Sequence, residues 1–276
     1  MIFINDLDEG ILNKLFKFAD DTKLVGEAGS NTEIESLRTD LMKLFDWSNK
    51  WQMKFNVEKC KVMHVGYKNA EVEYKLDGKA LATVSEEKDL GVIISQDLKV
   101  STQCGVAAKK GYQILGLINR TFACKTKSII LNLYKTLVRP HLDYCIQAWR
   151  PHYQKDIEVL EKVQRRATRM IVECKGFSYE DRLRMVELTT LETRRLRADL
   201  IEVYKMLTGK DNVNEDLFFE RVYKTDGASC NAHATRGHSL KLCKRRFTQL
   251  LPNSSLGTEL LKIGIAYQKI FFRNHA

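Results

Sequence analysis

The sequence predicts an α+β fold in which a mixed first third is followed by an all-α remainder. Three observations predict it. Up to about residue 99, short apolar runs are separated by turn-forming residues, with one long helical pattern among them. From about residue 101, apolar residues recur at intervals of three and four and continue past residue 200. Only three prolines interrupt 276 residues, so the regular elements should be long.

Taken in order, "LFKFADDTKLV" at 15–25 sets Asp20 and Asp21 between two short apolar runs. Adjacent carboxylates repel each other and resist burial, so the pair belongs in a solvated turn or beside a divalent cation. "GEAGSN" at 26–31 is a turn, and Asn31 or Thr32 is expected to cap a helix over 33–50. Ile34, Leu37, Leu41, Leu44 and Phe45 form one face of that helix. "KVMHVGY" at 61–67, "VEYKLDG" at 72–78 and "LGVIIS" at 90–95 read as strands, with a turn at Asp77-Gly78.

In the helical remainder, Val106, Ile114, Leu117, Ile118 and Phe122 define one stripe. Ile130, Leu133, Tyr134 and Leu137 define a second, expected to stop at Pro140. A third stripe is Ile157, Leu160, Val163, Ala167, Met170 and Ile171, with Lys162, Arg165, Arg166 and Arg169 on its other faces. Ser178 and Asp181 suggest a capping box. The last stripe is Leu196, Leu200, Val203, Tyr204 and Leu207, ending at Gly209. Trp47, Trp51 and Trp149 are read as packing residues and not as platforms for bases.

Composition excludes a disordered chain: 44% of residues are hydrophobic and 29% charged. No run approaches the ~18 apolar residues of a membrane helix, and "MIFINDLDEG" has acids where a secretory signal carries Lys or Arg. Seven cysteines without CxxC pairs suit a reducing compartment, so an intracellular protein, nuclear or cytoplasmic and not secreted, is expected. The net charge of +10 is uneven: residues 1–99 hold 14 Lys+Arg against 18 Asp+Glu, and residues 100–276 hold 31 against 17. A basic half of this kind suits a polyanion partner, or simply solvated Lys-rich faces.

Several motifs in a fixed order then point to a family. Phe18-Ala19-Asp20-Asp21 resembles motif C of reverse transcriptases, the hairpin of the polymerase palm. "FINDL" at 3–7 resembles the segment between motifs B and C, and "WSNKWQMKFNVEKCKVMHVG" at 47–66 resembles motif D. "EKDLGVII" at 87–94 resembles the strand leading to the primer grip. Residues 133–171 resemble the thumb region of non-LTR retrotransposon polymerases, of the chicken-repeat clade of the jockey group. The likeness covers roughly residues 1–245.

The resemblance implies a partial palm over 1–99 (motifs C, D and E), a helical thumb-like domain over 100–210, and a C-terminal extension, partly disordered, over 211–276. It implies Asp20 and Asp21 as magnesium ligands in a two-metal phosphoryl transfer, with Asp20 the stronger. It also makes Lys59 the motif D lysine that protonates the leaving pyrophosphate. The implied partners are an RNA template and a DNA primer, or their hybrid, and no membrane; nothing in it specifies an oligomeric state. Lys162, Arg165, Arg166 and Arg169, with Arg194 and Arg195 of "ETRRLRADL", are the implied phosphate contacts.

No counterpart of motifs A and B is found, so the expectation is a truncated RNA-directed DNA polymerase of a LINE-type element, inactive alone. The alternative is a non-catalytic nucleic-acid-binding remnant or a pseudogene product. Finally, Cys230, His233, His238 and Cys243 give C-x2-H-x3-G-H-x4-C, close to a zinc-knuckle spacing with His233 in place of a Cys. The segment lacks the aromatic residues that stack on bases and also reads as ordinary family sequence, so magnesium and not zinc is the cofactor expected.

Overall fold

The computed structural model describes residues 4–19, 21–66, 69–214, 219 and 242, and the backbone of 267–273. It divides into two compact units, Met1–Thr102 with Ile263–Ala276, and Gln103–Lys262. The α+β composition expected from the sequence is present, with short, mainly antiparallel strand pairs and several helices.

In the first unit, β1 (Lys14–Phe18) and β2 (Asp21–Glu27) pair antiparallel, with Phe18 opposite Asp21, so residues 19 and 20 alone link them. Ala19 has a φ of 54°, the left-handed backbone that two-residue hairpin links use. Helix α1 (Asn31–Lys50) is capped by Ser30 and not by Asn31 or Thr32. The Glu33 N–H donates to Ser30 Oγ at 3.4 Å, and the Glu33 carboxylate takes the Ser30 N–H at 2.9 Å. This reciprocal pair satisfies two orphan donors at once, which fixes the start at Ser30.

α1 buries Ile34, Leu37, Leu41, Leu44 and Trp47. Its contact with β2 is close: a Cβ at Gly26 would lie 2.7 Å from Leu37 Cδ2 and closer still to the Asn13 side chain, so a larger residue there would have to displace both. The remaining strands are β3 (Lys61–Val65), β4 (Lys75–Leu76), β5 (Lys79–Ala80), β6 (Ala82–Thr83), β7 (Glu86–Asp89), β8 (Val92–Ser95) and β9 (Tyr267–Arg273). β4 and β5 form a hairpin through Asp77 and Gly78, whose φ angles of 54° and 69° are both left-handed.

The main sheet has the order β1-β2-β9-β3-β6. β9 is antiparallel to both β2 and β3 and separates them. The sequence reading placed no strand at 267–273, because its pairing partners lie more than two hundred positions earlier and periodicity carries no long-range pairing.

The second unit is helical. Its helices are α2 (Ser101–Thr121, belonging to this unit from Gln103), α3 (Lys127–Leu133), α4 (Arg139–Asp143), α5 (Ile146–Trp149), α6 (Gln154–Met170), α7 (Tyr179–Met185) and α8 (Leu191–Leu207). Pro140 does not stop the second helical stripe. A π-helical turn over Tyr134–Val138 joins α3 to α4, and the Arg139 N–H reaches back to the Tyr134 carbonyl. Widening the turn there removes the demand for the hydrogen bond that Pro140 cannot donate.

Two apolar stripes depart in part from the expectation, although Ile118 of the first is buried as expected and Ile114, Val203 and Leu207 are half-buried. On α2, Val106, Leu117 and Phe122 are exposed, while Cys104, Ala107, Ala108, Gly111, Leu115 and Ile118 are buried. Small residues let α2 approach α6 closely; a Cβ at Gly111 would lie 2.9 Å from Val163 Cγ1. On α8, Leu196, Leu200 and Tyr204 are exposed, and Arg195 is buried in their stead. The α6 stripe is as expected at Leu160, Val163, Ala167 and Ile171, all buried.

Candidate nucleic-acid interface

The hairpin that carries the acidic pair is held by an anchor the sequence reading did not single out. Asp40, fully buried on α1, accepts the Leu12 and Asn13 backbone N–H groups at 3.0 and 2.8 Å and the Asn13 side-chain amide at 2.8 Å. A second tie uses Asp6, which accepts the indole N–H of Trp47 and of Trp51, each at 3.0 Å. Trp47 is buried, as expected of a packing residue, whereas Trp51 is exposed and tied to Asp6 by its indole N–H.

Asp20 lies outside the described residues. Asp21 opens β2, with Phe18 as its register partner on β1 and Arg273 on β9. Neither neighbouring strand brings a carboxylate to that level. Two positions on, Lys23 forms an ion pair with Asp89, next to the β7–β8 turn. Lys59 is exposed in the turn before β3, its N–H bonded to the Asn56 carbonyl at 3.0 Å. β2 and β3 both start where β9 ends, so Asp21 and the Lys59 turn share one end of the sheet. With one strand between them, the two strands lie about 10 Å apart.

Among the described residues, which leave out Asp20, no three His, Cys, Asp or Glu side chains come together. Cys230, His233, His238 and Cys243 also lie outside the described residues.

The basic residues of α6 are better organised. Lys162, Arg165, Arg166 and Arg169 stand at i, i+3, i+4 and i+7 and are all exposed, so they form one stripe. Among the described residues none of the four forms an ion pair. Aromatic rings hold two of them: the Arg165 guanidinium lies 4.9 Å from the Tyr179 ring centre and that of Arg166 lies 5.5 Å from Tyr112. A ring occupies the flat face of a guanidinium and leaves its N–H edge for an anion. Together with Tyr112 of α2, the four cations line a cleft of about 590 Å³. Tyr112 was not foreseen, although "KKGYQ" at 109–113 interleaves basic and aromatic residues.

Arg194 and Arg195 depart from the expected phosphate contacts. Arg194 Nε donates to Asp143 Oδ2 at 2.7 Å, so its charge is already matched. Arg195 is only 2% exposed and cannot reach a phosphate on the surface. All three of its guanidinium nitrogens are buried without a hydrogen-bond partner, as is Asp143 Oδ1. Burial lowers the Arg195 pKa, against the attraction of Asp143 and other groups around it.

Beside this arginine runs a buried polar network. The Tyr134 hydroxyl donates to Gln164 Oε1 at 2.7 Å, and Gln164 Nε2 donates to the Thr189 carbonyl at 3.0 Å. The Tyr179 hydroxyl donates to Glu161, whose other oxygen takes the Leu191 N–H at 3.0 Å. Burial raises the pKa of both tyrosines, so they remain donors. Cys104 is pushed up to about 12 by burial and by the Asp156 carboxylate, which keeps the thiol protonated and unreactive.

No helix among the described residues is long and apolar enough to cross a membrane. No protein-family model matches the chain, and no curated protein or solved structure matches it.

Proposed function

We propose that the 276 residues correspond to palm motifs C to E and the thumb of a non-LTR retrotransposon reverse transcriptase, of the chicken-repeat and jockey type. On its own the chain binds RNA–DNA hybrid or related duplexes without polymerising. The observation that carries the binding claim is the exposed stripe Lys162, Arg165, Arg166 and Arg169, four cations without acidic partners among the described residues. Unneutralised cations in a row gain most by displacing counterions from a phosphate backbone.

The family assignment is supported by the order of the motifs and by a tight hairpin whose link and next residue are Ala19, Asp20 and Asp21. The shared sheet end of Asp21 and the Lys59 turn supports it further. Asp20 and Asp21 would be the magnesium ligands of a complete palm. In this chain Arg273 stands in register with Asp21.

Two assays on the purified full chain test the reading. In equilibrium binding to an RNA–DNA hybrid, the double variant Arg165→Glu/Arg166→Glu should lose about tenfold or more in affinity. In primer extension with Mg²⁺, incorporation should stay at background. Wild-type affinity in the double variant would remove the proposed interface. Incorporation abolished by Asp20→Ala would show the chain to be a working polymerase.

A further inference from the structure

We propose that the cleft between α2 and α6 binds single-stranded nucleic acid, with Tyr112 as the surface on which an unpaired base stacks. This rests on the nucleic-acid reading above and adds the strand state and the recognising residue. The cations alone do not distinguish a duplex from a single strand, since both present phosphates. Tyr112 does. A duplex hides its base faces in the stack and offers only base edges in its grooves, so an aromatic ring inside a cationic cleft has nothing there to stack on. An unpaired base offers a whole face.

The geometry agrees in two further ways. A cleft of about 590 Å³ has the size of sites that enclose small ligands, enough for a nucleotide unit, whereas a duplex would meet the exposed cations at its rim without entering it. Arg166 lies over Tyr112 at 5.5 Å, and a guanidinium plane is itself a surface on which bases stack. Ring and guanidinium therefore make a two-part platform. Lys162 and Arg169, about 10 Å apart along α6 at 1.5 Å per residue, flank it with charge for the phosphates on either side.

The test is fluorescence anisotropy of the full chain with three probes: an oligouridylate, the matching oligothymidylate and an RNA–DNA hybrid duplex. Tyr112→Ala should weaken the single strands about tenfold and the hybrid by less than about twofold, because stacking on an aromatic ring acts only on unpaired bases. Tyr112→Phe keeps the ring and should bind as wild type. Arg166→Lys keeps the charge, loses the plane, and should weaken the single strands several-fold even if Tyr112→Ala folds poorly. A preference between the uridylate and the thymidylate names the strand as RNA or DNA, and equal binding assigns the cleft to both.

If Tyr112→Ala and Arg166→Lys spare the single strands, or weaken the hybrid equally, while Arg165→Glu/Arg166→Glu weakens everything, the stacking site is overturned and the electrostatic interface stands. If that charge reversal also changes nothing, the nucleic-acid reading falls, and this site with it.

Discussion

Asp40 on α1 accepts both the backbone N–H and the side-chain amide of Asn13, each at 2.8 Å. This couples the segment entering β1 to the long helix beneath the sheet, and so fixes the hairpin that carries Asp21. Asp40→Ala would remove the acceptor of the Leu12 and Asn13 N–H groups, though the Asn13 amide keeps its bond to Ser36 Oγ and the exposed Leu12 lets water replace part of the loss. At about 1–3 kcal/mol for a buried group left unsatisfied, the first unit should lose about 1–3 kcal/mol. Asp40→Asn keeps one acceptor oxygen and should fall between. Hydrogen exchange of β1 and β2 reads the effect, and unchanged protection in Asp40→Ala would refute the anchor.

Arg195 gives a prediction of the opposite sign. Its guanidinium is buried with all three nitrogens unsatisfied, so it bears a desolvation cost without the bonds that would offset it. An apolar side chain of similar length should do better. Arg195→Met is expected to raise the stability of the second unit, by less than the roughly 1–4 kcal/mol gained when a whole buried ion pair is replaced by apolar groups, because Asp143 and Glu161 would lose its attraction. Urea denaturation followed by circular dichroism measures it. A loss of stability would mean that the charge is matched inside the fold.

His64, buried on β3, gives a pH dependence. Desolvation holds its pKa below the usual histidine value, against Glu71 and a hydrogen bond with Asn69, which both raise it. Below its ordinary pKa of about 6.5, the unfolded chain therefore takes up the proton more readily than the folded one. The stability linked to His64 is complete above that pH and is lost as the pH falls through the depressed folded value. Hydrogen exchange of residues 61–65 should speed up on acidification below about pH 6.5, and His64→Gln should flatten the response. An equal acceleration in His64→Gln would assign the effect to other groups.

Much of the local structure was legible in the sequence. The apolar runs on either side of Asp20-Asp21, the heptad-like spacing from Ile34 to Leu44 and the Asp77-Gly78 turn are short-range signals, and short-range forces decide those elements. Three features were not legible, each because a partner distant in sequence decides it. β9 pairs with strands more than two hundred positions away. α2 turns its small residues inward because Val163 and Leu142 press against Gly111, so bulk was a poor guide to its buried face. α8 buries Arg195 and exposes Leu200, against any scale of hydrophobicity. In the candidate interface, the α6 stripe followed from helical spacing alone, whereas Tyr112 joins it only through the packing of α2 on α6.

The central claim, a phosphate grip built on α6, is tested most directly by the salt dependence of binding. The measurement is filter binding of the full chain to duplex nucleic acid across a salt series, for the wild type and for Arg165→Glu/Arg166→Glu. Four phosphate contacts through Lys162, Arg165, Arg166 and Arg169 predict a log–log slope of roughly −3 to −4, at about −0.9 per contact on B-DNA. The double variant should flatten the slope by about two and weaken all sequences alike. Binding that ignores salt, or no binding even at low salt, would contradict the account and leave the stripe as a solvated face.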